Sequence, residues 1–361
     1  MTVVSLPRAL KEKALQLGFD RVGFADARLP EEARHFDRWL AAGMHGEMSW
    51  LERGRRRRLD PGLVLEGARS LIVVALAYAS RSTSPEPTIG ESPRGVVARY
   101  ALGDDYHRVM GDRLAQLQRF LEAKAPGHRA KAYVDTGPLL ERMWAARAGI
   151  GWVGKNSLVL NKEMGSYFLL GAIVTTLPLP PDSPATDQCG ACTSCIEACP
   201  TSAIVEPRLV DSRRCLSYHT IELRGPIPFE YREKIGNRVF GCDDCQDACP
   251  WNHEGTAPEG SQVLAARPES VSPSLLDLLS MTRQEYQRRF GGSAIKRATY
   301  NGLRRNAAAA LGHAKPEPSV IEALQEVTHD SSDDAVLKEQ AAWAAARVKG
   351  RLASGPGGVS S

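Results

Sequence analysis

The eight cysteines constrain this chain more than any other feature. None occurs before Cys189 and none after Cys249, so all fall within 61 residues of a 361-residue chain. A secreted disulfide scaffold is short and cysteine-rich throughout, and this chain is neither. Thiols gathered at short, fixed spacings in a long chain read instead as metal ligands. Cys189-x2-Cys192-x2-Cys195-x3-Cys199-Pro200 is the bacterial ferredoxin run for a [4Fe–4S] cluster. Its first three thiolates grip three irons of one cubane, and the fourth, followed by proline, serves another cluster. Cys242-x2-Cys245-x3-Cys249-Pro250 is a second run that lacks its first member. Cys215, alone between the runs, supplies it. Cluster one then takes Cys189, Cys192, Cys195 and Cys249, and cluster two takes Cys199, Cys215, Cys242 and Cys245. Paired four-cysteine zinc sites are the alternative, but zinc is poorly served by this spacing. Two cubanes with crossed ligands lie close enough for electron tunnelling, so the region is an electron wire. Simple electron carriage would leave most of the chain without a purpose.

The sequence on either side predicts where those electrons are used. Leu6, Leu10, Ala14 and Leu17 recur at helical spacing, with Gly18 as a stop. A short strand over 19–25, a helix from Pro30 to Ala42 and a buried strand over 70–79 follow. Residues 81–95 are rich in Ser, Pro and Gly and predict a loop. A helix over 104–123, a strand over 131–135, a helix from Pro138 to about 148 and a strand over 166–176 complete one mixed domain. The Pro-rich stretch LPLPPDSPATD over 177–187 ends it. After the cysteine region, 254–273 is loop-like and 274–349 is helical. Two segments beginning at Arg305 and Glu339, 34 residues apart, share a run of small residues. That spacing suggests a short α-solenoid of the HEAT type.

Several classes are excluded. No apolar run approaches the ~18–20 residues of a membrane helix. The N-terminus carries charges where a signal peptide needs its apolar core, and it lacks a twin-arginine pair, so the expected location is the cytoplasm. Gly149-x-Gly151-x-x-Gly154 matches the letters of a dinucleotide fingerprint, but it follows a helix rather than a strand. No P-loop is present. The net charge of +4 is only mildly basic. Its clusters, Arg55 to Arg58 and Lys296, Arg297, Arg304 and Arg305, suit either a solvated face or an anionic partner.

The whole arrangement resembles the epoxyqueuosine reductases. The matching pieces are Gly103-Asp104-Asp105-Tyr106-His107, Tyr133-Val134-Asp135-Thr136-Gly137-Pro138 and Gly151-Trp152-Val153-Gly154-Lys155-Asn156-Ser157-Leu158. Gly165-Ser166-Tyr167-Phe168, Cys215-Leu216-Ser217-Tyr218-His219 and the run from Gly241 to Asn252 extend them. Two positions depart from the family pattern: Tyr167 stands for a more usual Trp and His219 for a more usual Leu. The resemblance implies reduction of epoxyqueuosine to queuosine in the anticodon loop of a tRNA with a GUN anticodon. It implies a base-off cobalamin fed by the two [4Fe–4S] clusters, and the sequence has no D-x-H-x-x-G motif to supply a lower histidine ligand. The expected class is α+β. It comprises a cobalamin-binding α/β domain over 1–180, a ferredoxin-type two-cluster domain over 181–255, HEAT-like helices over 270–350 and a flexible tail over 351–361. An external electron donor and a monomer are expected. A reductive dehalogenase and a ferredoxin-type electron-transfer subunit are the competing readings.

Asp135 is the expected proton donor. It ends a predicted strand, where sites are commonly built, and a carboxyl group facing a corrin in an apolar pocket has a raised pKa. Read from the residues alone, it equally suits the cap of the helix that Pro138 opens. Cofactor contacts are expected from Arg58, Arg99, Tyr106, His107, Lys155, Asn156, Ser157, Tyr167, Asp243 and Gln246. Tyr100 is expected beside Arg99 at a strand end. Lys296, Arg297, Arg304 and Arg305 are expected to hold tRNA phosphates.

Overall fold

The structure, a computed structural model, describes residues 5–28, 33–78, 93–252 and 262–354. The expected helix start at Pro30, most of the expected loop over 81–95 and the last seven residues of the tail lie outside them. The chain divides into two compact units, each drawn from several stretches. The first holds Met1–Arg81, Asp105–Ser212 and Asp244–Ala265; the second holds Ser82–Asp104, Arg213–Asp243 and Ala266–Ser361. Among the described residues, no helix is long and apolar enough to cross a membrane.

In the first unit, Arg21–Asp26 (β1), Ser70–Ala77 (β2), Ala130–Tyr133 (β3) and Phe168–Thr175 (β4) form a sheet in the order β1-β2-β4-β3. Every pairing is antiparallel, with Phe24 opposite Ile72, Ala75 opposite Leu170 and Ala132 opposite Ile173. This makes the unit α+β rather than doubly wound. β2 is buried at all eight positions, because it is an interior strand with both faces covered. The helix Leu6–Gln16 (α1) packs beside β1. The helix Tyr106–Lys124 (α2) buries Met110, Leu114, Leu117 and Leu121, a stripe at helical spacing. Leu114 and Met110 close on Gly171 of β4, where an added Cβ would sit 2.8 Å from the Leu114 side chain. The other face, through Leu71, Val73 and Ala75, meets Trp144, Ala145 and Ala148. Trp144 and Ala145 lie on the helix Glu141–Arg147 (α3). That helix begins three residues later than Pro138 suggests, because residues 134–140 are needed for a tight loop.

In the second unit, Val96–Val97 pairs in parallel with Arg238–Phe240. The helices Leu275–Ser280 (α4), Tyr300–Leu311 (α5), Pro318–His329 (α6) and Ala335–Ser354 (α7) follow. The last helix continues to Ser354, into the expected tail. α5 is buried from Leu303 to Leu311 without interruption, and the Ala run on it lets neighbouring helices approach closely. The two similar small-residue segments lie on α5 and α7, which pack against each other.

This packing corrects the expectation for Arg304 and Arg305. Both are buried, at 7% and 2% exposure. Arg304 donates to the Leu279 carbonyl at 2.6 Å and pairs with the buried carboxylate of Asp333. Arg305 donates to the carbonyls of Leu223, Gly225 and His219 at 2.6–2.9 Å and to Asn306. These guanidiniums tie the unit together and leave no donor face for a phosphate. Lys296 and Arg297 are exposed, and Arg297 is engaged by Glu222.

Candidate active site and cluster cradle

β3 ends at Tyr133, and the chain then turns sharply into α3. Asp135 sits at the turn with φ +52°, a left-handed backbone that few non-glycine residues adopt. Two residues hold the loop from below. Arg58 is buried and donates to the Gly137 carbonyl at 2.9 Å and to that of Leu139 at 3.4 Å. Glu141, in the first turn of α3, accepts the Asp135 backbone N–H at 2.7 Å. Gly137 is required here, since a Cβ would lie 2.5 Å from the Tyr133 ring.

His107, in the first turn of α2, meets this loop. Asp105 caps the helix by accepting the His107 backbone N–H at 3.1 Å, and its carboxylate also faces the ring Nδ1 at 2.7 Å. The ring Nε2 faces Asp135 Oδ2 at 3.2 Å. Tyr106 stacks on the His107 ring, with centroids 4.1 Å apart, and hydrogen-bonds the Asp135 carboxylate. Burial alone would lower the His107 pKa, but the bonds and charges of Asp105 and Asp135 outweigh it and lift it to about 9. The imidazole is therefore charged at neutral pH.

Asp135 behaves opposite to expectation. Burial pushes its pKa up, yet the bond and charge of His107 outweigh that and hold it below the ordinary carboxylate value. The raised carboxyl group is Glu141, lifted to about 8 by burial and by the adjacent Asp135 charge. Arg142 is lowered by burial and donates to the Ser157 carbonyl at 2.6 Å. Asp135 keeps 59% of its side-chain surface open, and Arg142 is exposed. Both are nevertheless strongly desolvated by surrounding protein.

Glu141 and Arg142 were not legible as site residues. An acidic residue in the first turn of a helix is the ordinary dipole arrangement. Only the seven-residue loop between β3 and α3 folds it back under Asp135.

The same unit holds a cavity of about 350 Å³, lined by Cys189, Cys192, Cys195 and Cys249 with Lys155, Asn156, Leu160 and Trp251 among the others. These are the four cysteines assigned to cluster one. Their thiols sense one another: burial and then its neighbours push Cys195 up, and the same forces act on Cys249. Four sulfurs around a roomy, partly apolar cavity fit a cubane. Cys199 and Cys245 belong to this unit, and Cys215 and Cys242 to the second. The Cys199 sulfur accepts the Ala203 backbone N–H at 3.2 Å.

The remaining expected contacts are already committed within the protein. Lys155 donates to the Gly190 and Cys192 carbonyls, each at 2.8 Å. Asn156 donates to the Cys245 carbonyl at 3.3 Å. Both residues of this turn thus also hold the cysteine loops. Ser157 follows with φ +63°. The Gln246 amide Nε2 donates to the carbonyl and the hydroxyl oxygens of Ser166, and the Tyr167 hydroxyl donates to Asp247. These bonds pin the second cysteine run to the start of β4. In the second unit, Arg99 lies in a 3-10 turn rather than at a strand end, and Asp243 accepts its backbone N–H at 2.8 Å and faces its guanidinium at 3.3 Å. Tyr100 shares that turn and meets the Phe240 ring.

Comparison with known proteins follows the same lines. A model of the 4Fe-4S double cluster binding domain matches residues 188–252, which contain all eight cysteines. A family model described as epoxyqueuosine reductase QueG, DUF1730, matches residues 58–136, which include Arg58, His107 and Asp135. An epoxyqueuosine reductase of Pseudomonas aeruginosa is 40% identical over 344 residues, covering 95% of this chain and 94% of its own. The chain belongs to the epoxyqueuosine reductase family. A crystal structure of an epoxyqueuosine reductase with an epoxyqueuosine-modified tRNA-Tyr stem loop is 36% identical, with a TM-score of 0.86 over 95% of this chain and 90% of its own. The Bacillus subtilis epoxyqueuosine reductase, 34% identical with the same TM-score and coverage, has been solved with its catalytic aspartate loop swung out of the active site. As a family member, this chain is an oxidoreductase that reduces epoxyqueuosine in the final step of queuosine synthesis. Its iron–sulfur domain is the double-cluster type, and a role as a bare electron carrier is set aside.

Proposed function

We propose that the epoxide is opened against the Asp135 wall, with Asp135 passing a proton to the epoxide oxygen and His107 replenishing it. The observation that carries this is the 3.2 Å pairing of His107 Nε2 with Asp135 Oδ2, whose side chain is still open to solvent. Turning an epoxide into an alkene and water consumes two electrons and two protons. Cobalamin, the family's cofactor, supplies the electrons at the substrate when it is loaded and reduced through the clusters. The chain supplies the protons. His107 and Glu141 both hold a proton at neutral pH and flank Asp135. Asp135 becomes the acid when a bound ligand covers it. Its carboxylate is still reached by water, and desolvation already pushes its pKa upward. Excluding that water favours transfer of the His107 proton to it.

Tyr106, His107, Asp135 and Arg142 are the side chains of this wall that would face the cofactor and substrate. Cluster one is ligated by Cys189, Cys192, Cys195 and Cys249, and cluster two by Cys199, Cys215, Cys242 and Cys245. The α4–α7 helices act as a HEAT-like support, and Lys296 and Arg297 contact the backbone of a tRNA with a GUN anticodon. The base is already unpaired in an anticodon loop, so extracting it costs little. The reading assigns cobalamin binding to 1–180, the clusters to 181–255 and tRNA support to 270–350. It takes the chain as a cytoplasmic monomer served by an external electron donor.

The test is single-turnover reduction of epoxyqueuosine-containing tRNA by anaerobically reconstituted protein, with queuosine read by nucleoside analysis. Product should depend on cobalamin and fall by about 10²–10⁴-fold in Asp135→Asn while corrin absorbance still reports binding. Undiminished product in Asp135→Asn would remove Asp135 from the mechanism.

A further inference from the structure

Lys155 has a position that neither the proton chemistry nor the cluster ligation uses. It lies in the turn between two short paired segments, Trp152–Val153 and Val159–Leu160. The Arg208 backbone N–H donates to its carbonyl at 2.9 Å, fixing the main chain. Its ammonium reaches the first cysteine run, bonding the Gly190 and Cys192 carbonyls, each at 2.8 Å. The residue also lines the cavity of cluster one. Its neighbour Asn156 is 5% exposed and bonds the Cys245 carbonyl. One dipeptide thus holds backbone from both cysteine runs, but only Lys155 brings a charge.

We propose that Lys155 tunes the reduction potential of cluster one, raising it so that its reduced form is favoured at the Cys189–Cys249 site. A four-thiolate cubane is anionic, and reduction adds one more negative charge. A fixed cation beside it stabilises the reduced form more than the oxidised form, and local net charge is a principal control of such potentials. Other charges near the run oppose this less directly. Glu197 accepts from the Thr193 hydroxyl at the surface. Asp187 accepts the Cys189 backbone N–H at 2.9 Å but is neutralised by Arg208.

The proposal rests on the cavity being a cluster site, and the experiment separates the two. Reconstituted holoprotein is titrated potentiometrically with EPR detection in the wild type and in Lys155→Gln, Lys155→Met and Lys155→Arg, with iron counted in each. In the neutral variants, one cluster should lose about tenfold in its reduced-to-oxidised ratio at fixed potential, ~59 mV for a one-electron couple. The other cluster should hold its potential, and Lys155→Arg should stay near the wild type. Unmoved potentials, or equal shifts in both clusters, with eight irons retained would overturn the proposal. So would loss of four irons in both neutral variants with retention in Lys155→Arg, which would make Lys155 a clamp only. Absence of any [4Fe–4S] signal in the wild type would instead remove the cluster reading beneath it.

Discussion

Replacing Asp135 by Asn gives a direct measure of the electrostatics in the acid wall. His107 stands between two carboxylates, Asp105 at 2.7 Å and Asp135 at 3.2 Å, and its pKa rises from an ordinary 6.5 to about 9. The nearer Asp105 also holds the backbone N–H, so it contributes the larger share. Removing the Asp135 charge while keeping a polar side chain should lower the His107 pKa by about one pH unit, or ~1.4 kcal/mol. Asp105→Asn should lower it further. The assay is NMR titration of histidine ring carbons in the oxidised, diamagnetic protein, with the His107 resonance assigned by its loss in His107→Asn. A stability measurement runs in parallel. His107 is raised on folding, so its contribution is complete below about pH 6.5 and disappears as pH rises through about 9. The full rise corresponds to ~3 kcal/mol. The ring is 31% exposed and solvent screens the pair, so about half of that is expected. A His107 pKa that stays near 9 in Asp135→Asn, or falls less in Asp105→Asn than in Asp135→Asn, would refute this account.

Two further outcomes follow from the packing. Arg305→Ala should destabilise the protein by ~3 kcal/mol, seen as a lower Tm, because two buried carbonyls, a part-buried one and Asn306 lose their donor. Lys296→Glu is its control: the exposed residue should leave the Tm unchanged while weakening tRNA binding and reducing its salt slope by about one. Glu141→Ala should speed hydrogen exchange of the Asp135 amide and slow single turnover by roughly tenfold or more, because the loop loses its lower anchor. Glu141→Gln retains an acceptor and should restore the exchange protection, and equal loss of protection in the two variants would argue against the anchoring role.

A large part of this protein is legible in its sequence. The period and spacing of apolar residues locate β2 and α2, since a strand buried on both faces must be apolar at every position and a helix on one face only every third or fourth. The cysteine spacing groups Cys189, Cys192 and Cys195, which lie on one short stretch of chain, whereas it takes the fold to bring Cys249 to the same cavity. Asp135 is visible as a polar residue where a strand stops. The state of its proton is not. That depends on His107, 28 residues earlier on another helix, and on Glu141 folded back beneath it, and electrostatic interactions act through space rather than along the chain. The basic cluster misleads for the same reason. Arg304 and Arg305 look like surface charges in one dimension, yet the helix carrying them is enclosed on all sides. The bonds of Lys155 to the carbonyls of the cysteine run are likewise invisible in one dimension. Chain-local chemistry thus lies in the sequence: element type, ligand spacing and the strand-end carboxylate. Burial, pairing and charge state belong to the tertiary structure alone, because each depends on which distant groups share a dielectric environment.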